Sequence, residues 1–171
     1  MESYLRWVEK IDKLADWSGR IISYLVYPLV GGVAFEVISR YVFNAPTEWA
    51  FDVTYMLYGT IFMLGAAYTL QKKGHIRTDV FYGKWSPSKQ GKIDALAYII
   101  LFFPGMIFYL WAGLDYAAQS WTTHEKAGNS PWMPIIYPFK TVIPLTAVML
   151  LIQGVSELLK SIYAWKKGEW K

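Results

Sequence analysis

"YIILFFPGMIFYLW", Tyr98 to Trp111, decides how this chain folds. A helix on the surface of a soluble protein shows polar residues every three or four positions. This stretch shows none. Widened on both sides it becomes "ALAYIILFFPGMIFYLWAGL", Ala95 to Leu114. As a helix of about 20 residues it would cross a hydrocarbon core of about 30 Å.

Three further runs have the same character. They are "IISYLVYPLVGGVAFEVI" from Ile21 to Ile38, "VTYMLYGTIFMLGAAYTL" from Val53 to Leu70, and "IIYPFKTVIPLTAVMLLIQGVSELL" from Ile135 to Leu159. No alternation of polar and apolar residues over about ten positions suggests a membrane β-barrel. Helices then remain the way to satisfy the backbone in lipid. The expectation is an all-α membrane protein, one domain over 1–171, with spans near 21–40, 52–71, 93–116 and 135–159. A soluble bundle with an unusually apolar core is the competing reading, and the lack of polar faces speaks against it.

Composition agrees. Of 171 residues 54% are hydrophobic and 18% charged, where a soluble domain carries about 25% charged residues. There is no Cys, which excludes disulfides, thiolate metal sites and Cys nucleophiles. The N-terminal segment mixes acids and bases and lacks a small-residue cleavage site, so the first span reads as retained.

Lys and Arg set the expected orientation. Arg6, Lys10, Lys13 and Arg20 precede the first span, and only Arg40 lies in the first loop. The second loop holds Lys72, Lys73, Arg77, Lys84, Lys89 and Lys92; the third holds Lys126; the tail holds Lys160, Lys166, Lys167 and Lys171. Positive charge is retained in the cytoplasm, so both termini and the second loop are expected there. Trp17, Trp85 and Trp165 fall near the inner boundary so defined. Trp49, Trp121 and Trp132 fall near the outer one.

Residues 3–19 read as an amphipathic helix on the inner leaflet or a neighbour, with Tyr4, Trp7, Val8, Ile11, Leu14 and Ala15 at helical spacing. The tail "VSELLKSIYAWKKGEW" extends the last helix, with Val155, Leu158, Leu159 and Ile162 on one stripe. Ser86-Pro87 suits a helix start. Pro28, Pro104, Pro138 and Pro144 are expected to kink helices.

The chemistry-bearing residues are few. His75 and His124 fall on opposite sides, so they cannot share a metal, and neither lies where a haem would be ligated. No "GxSxG" and no phosphate-cradling Gly loop is present, so an enzyme is not expected. Glu36 precedes Arg40 by four residues, a favourable helical pairing, and Lys140 lies at a similar depth. Either the two cations reach outward to headgroups, or Glu36 joins Arg40 or Lys140 in an outer-leaflet network. The span centres are Val, Leu, Phe, Met, Gly and Tyr, which suits a support better than a pore. Gly31, Gly32, Gly59, Gly65, Ala66, Ala67, Gly113 and Ala117 offer close helix contacts.

"EVISRYVFNAPTEWAFDVTYMLYGTIFMLGAAYTLQKKGHIRTDVF", Glu36 to Phe81, carries a resemblance. With "RYVFN", "EWAFD", the His-x-Arg-Thr-Asp run and "YPFKTVIPL", the chain resembles the small, Q-type membrane subunit of tripartite ATP-independent periplasmic (TRAP) transporters. The resemblance implies a multi-pass protein of the bacterial inner membrane. It implies a large M-type partner that holds the substrate and sodium sites, and a periplasmic binding protein that delivers an organic acid. No catalytic, cofactor, metal or substrate ligand carries over to this chain. Candidate structural or partner contacts are Glu36, Arg40, Trp49, Asp52, His75, Arg77, Asp79 and Lys140. Two other readings compete: a self-sufficient small oligomeric exporter or channel, and a membrane anchor for a redox enzyme. The first lacks charge facing a pore, and the second lacks haem ligands in the spans.

Overall fold

In this computed structural model the described residues are 2–74, 82–128 and 130–170. Among these residues seven α-helices are described in chain order: α1 Glu2–Ser23, α2 Val26–Tyr41, α3 Ala50–Gln71, α4 Pro87–Ala97, α5 Phe103–Thr122, α6 Tyr137–Lys140 and α7 Val142–Lys167. A π-helical turn, Tyr98–Phe102, joins α4 to α5. No strand occurs among the described residues; a single antiparallel bridge pairs Lys126 with Ile135. Among the described residues four helical stretches are long and apolar enough to cross a membrane: Arg6–Tyr41, Ala50–Gln71, Pro87–Thr122 and Tyr137–Lys167.

Proline sets the breaks. α1 runs past residue 19, where its amphipathic segment was expected to stop, and yields only at Tyr24 and Leu25. There the N–H groups of Tyr24, Leu25 and Tyr27 bond carbonyls three residues back rather than four. Pro28 has no N–H for the Tyr24 carbonyl, and its ring crowds that oxygen. Tyr27 takes the bond instead. Before Pro104 the helix widens: the Phe103 N–H reaches the Tyr98 carbonyl, five residues back. Pro138 opens the short α6. Pro144 sits in the first turn of α7, where an N–H would have no helical partner in any case.

α7 is the axis of the bundle. It packs against α1, α3, α4 and α5, while α2 packs mainly on α3. The packing is close where side chains are absent. A Cβ on Gly91 of α4 would stand 2.5 Å from the Ser161 carbonyl oxygen and 2.6 Å from the Trp165 nitrogen, both backbone atoms of α7. A Cβ on Gly154 would stand 2.3 Å from the Phe102 ring. Lipid is as apolar as Leu, so close packing and hydrogen bonds hold such helices together, not hydrophobic burial.

Of the small residues singled out in the sequence, Gly59, Ala67, Gly113 and Ala117 lie at such contacts. Gly31 and Gly65 have open space where a side chain would be. α4 begins at Pro87 after an extended Ser86, although the Ser86 side chain makes no capping bond.

Candidate functional site

The polar groups of the bundle collect at its two ends. At the end that carries both terminal regions, α1 is fastened to α7 and α3. α7 places Gln153, Ser156, Glu157, Lys160 and Ser161 one helical turn apart along a single face. That face points inward: Gln153, Ser156, Glu157 and Ser161 are each 2% exposed or less.

Asp12 of α1 enters it. Gln153 Nε2 and Ser156 Oγ donate to Asp12 Oδ1 at 3.0 and 2.8 Å. Lys160 Nζ lies between Asp12 Oδ2 at 2.8 Å and Glu157 Oε1 at 2.6 Å. One cation thus bridges two carboxylates from two helices. The Gln71 side chain of α3 donates to the Asp12 backbone carbonyl at 3.0 Å. Lys72 pairs with Asp16 at 2.8 Å, and this hydrogen bond raises the Lys72 pKa above its ordinary value.

α4 and the tail join the same end. Ser88 Oγ donates to the Trp165 carbonyl at 2.7 Å, and Trp170 Nε1 to Gln90 Oε1 at 2.9 Å.

The opposite end is tied in three separate places. Glu36 accepts from both Arg40 and Thr47, with Arg40 Nε at 2.9 Å and the Thr47 N–H at 3.1 Å. This pins the α2–α3 connection back on α2. Asp52, 7% exposed, accepts from Ser130 Oγ and so anchors the α5–α6 loop on α3. Lys140 pairs with Glu125 at 2.5 Å and sits 3.9 Å from the centre of the Tyr116 ring. The adjacent ammonium holds the Glu125 carboxyl below the usual carboxylate range. Trp49 stacks on Phe35 with ring centres 5.6 Å apart. A concavity of about 410 Å³ opens between these loops, lined by Pro46, Thr47, Glu48, Phe51, Ser130 and Pro131.

Of the two partners that the sequence offered Glu36, the structure pairs it with Arg40, while Lys140 pairs with Glu125. Asp52 and Trp49 hold helices and loops within the chain. His75, Arg77 and Asp79 lie outside the described residues.

The set of Asp12, Gln153, Ser156, Glu157 and Lys160, at the end that carries the terminal regions, was missed. Its signal was present: polar residues at steps of three and four within "QGVSELLKS" are one helix face. The apolar stripe of Val155, Leu158, Leu159 and Ile162 is the plainer pattern in the tail. In the structure Val155 is 41% exposed while its polar neighbours are buried. Among the described residues no three His, Asp or Glu side chains gather as a metal would need.

A bundle whose apolar side chains face outward and whose polar side chains tie helix to helix is a multi-pass membrane protein. The sequence model described as "Tripartite ATP-independent periplasmic transporters, DctQ component" matches residues 29–163. The chain belongs to that family. It is a component of a TRAP transporter, a non-enzymatic role. No curated protein matches the chain.

Proposed function

We propose that this chain is the fixed scaffold subunit of a sodium-coupled TRAP importer of an organic acid in the bacterial inner membrane. It works beside a large M-type subunit, which holds substrate and sodium, and a periplasmic binding protein, which delivers the substrate. One observation carries the reading. The buried polar groups of α7 bond to α1 and to their own helix, which suits a rigid brace. The family description supports a tripartite, periplasm-facing assembly. The alternation of Lys- and Arg-rich segments supports cytoplasmic termini. With that orientation the Glu36, Asp52 and Lys140 ties lie on the periplasmic side. The concavity between the loops then faces the soluble component.

Reconstitution tests this. Liposomes holding this chain alone are expected to take up no organic acid under a sodium gradient. Liposomes holding both membrane subunits, supplied with the binding protein, are expected to do so. Uptake by this chain alone would overturn the scaffold reading. Orientation is checked separately, because the chain has no Cys. A single cysteine placed at Lys126 is expected to react with an impermeant maleimide added to whole spheroplasts, and one placed at Lys167 only after lysis.

A further inference from the structure

α1 carries two stripes, and the bundle uses one of them. Val8, Asp12, Ala15, Gly19 and Ile22, at alternating steps of four and three, meet the other helices. Val8, Ala15 and Ile22 are 5–7% exposed, and a Cβ on Gly19 would stand 2.6 Å from the Tyr68 ring. On the far side Trp7, Leu14, Trp17, Ile21 and Tyr24 form a second apolar stripe that is 46–65% exposed. Arg6, Lys10, Lys13 and Arg20 border it and are exposed.

In sequence this segment is balanced in charge. In the structure two of its four acids are taken up by the bundle: Asp12 by Lys160 and Asp16 by Lys72. Among the described side chains of α1, four exposed bases then face outward beside one exposed acid, Glu9. The depth of this face is fixed by α3. The last residue of that helix, Gln71, and the next, Lys72, bond to α1 at Asp12 and Asp16. The middle of α1 therefore lies level with the point where a membrane span ends, which is headgroup level.

We infer that the exposed face of α1 is a binding surface for anionic phospholipid headgroups, with Arg6, Lys10, Lys13 and Arg20 on the phosphates and Trp7, Leu14 and Trp17 in the acyl boundary. Charge complementarity chooses this occupant. A basic stripe beside Trp and Leu matches an anionic interface, and each basic side chain near such a surface favours it by about fivefold. The inference does not rest on the transport reading.

The test uses the whole chain in phosphatidylcholine vesicles containing phosphatidylglycerol. A fluorophore on Trp17→Cys is quenched by lipids that carry a nitroxide on either headgroup. The phosphatidylglycerol nitroxide is expected to quench as though enriched about fivefold or more over the phosphatidylcholine one. High salt and the combined Arg6→Gln, Lys10→Gln, Lys13→Gln and Arg20→Gln variant are expected to bring the ratio to one. An unchanged melting temperature shows that this variant still folds.

Equal quenching by the two lipids while Arg6, Lys10, Lys13 and Arg20 are all in place would overturn the inference. So would quenching by a water-soluble agent alone. So would loss of lipid quenching once the large transporter subunit is co-reconstituted, which would assign the face to a protein.

Discussion

α2 and α7 are both apolar helices, yet they are built in opposite ways. None of the 16 residues of α2 is buried. Val30, Val33, Phe35 and Val37 are 44–59% exposed. α7 buries Thr146, Gln153, Gly154, Ser156, Glu157 and Ser161, nearly all small or polar, and leaves Leu145 and Val155 more than 40% exposed. In water this would be inside out. In lipid it follows from two rules. Apolar side chains gain nothing by leaving hydrocarbon for the protein interior, and polar ones lose much if they stay in it. The helix with more polar residues therefore becomes the centre, and α2, whose charges Glu36 and Arg40 lie only toward its end, goes to the rim.

Four substitutions strain this contrast, in falling order of effect. Lys160→Met leaves the Asp12 and Glu157 carboxylates facing each other without a cation. Breaking a buried pair from one side costs about 3–5 kcal/mol, so thermal unfolding in detergent should shift far down. Neutralising all three, with Asp12→Asn and Glu157→Gln added, should recover much of the loss. If the single and triple variants melt alike, the three residues do not act as one tie.

Gly91→Leu comes next. Its side chain would meet α7 backbone that cannot move aside, at a cost of about 2 kcal/mol or more. Easier proteolysis between α4 and the tail, with the rest of the bundle protected, is the expected pattern.

The third is pH dependence at the other end. The Glu125 carboxyl titrates below its unfolded value because Lys140 pairs with it. Its contribution is therefore present above the unfolded pKa and disappears as pH falls through the lowered one. The melting-temperature gap between the native chain and Glu125→Gln should hold steady near neutrality. It should close below roughly pH 4, as a carboxylate requires. A gap that instead opens in acid would mean that another group is responsible.

The smallest effect belongs to α2. Val30→Leu, at a side chain that is 59% exposed, should leave stability within about 0.5 kcal/mol. A clear loss in the intact transporter, absent from the isolated chain, would show that a partner seats there.

Much of the fold was legible from residues alone. "YIILFFPGMIFYLW" and its three counterparts declare membrane helices because no polar face interrupts them. Pro28 and Pro104 mark where those helices yield. Glu36 and Arg40 pair as their spacing suggests, since four residues on a helix is a local distance. The rest depended on contacts that spacing does not show. Lys140 turns to Glu125 because a loop brings that acid back, and Asp52 finds Ser130 across 78 positions. The apolar stripe that begins at Val155 is plain in the sequence, but which way it faces is not: Val155 is exposed while Gln153, Ser156 and Glu157 are buried.

The sequence by itself determined four apolar rods, their likeness to a transporter component and the rich-poor alternation of Lys and Arg. Hydropathy and charge are summed along the chain, so each can be read without knowing what touches what. Only the tertiary structure decided that α7 is the axis, that Asp12 and Asp16 are taken up by the bundle, and that α1 is left with a basic outer face. Those outcomes depend on which helix supplies the nearest opposite charge, and no local pattern encodes that distance.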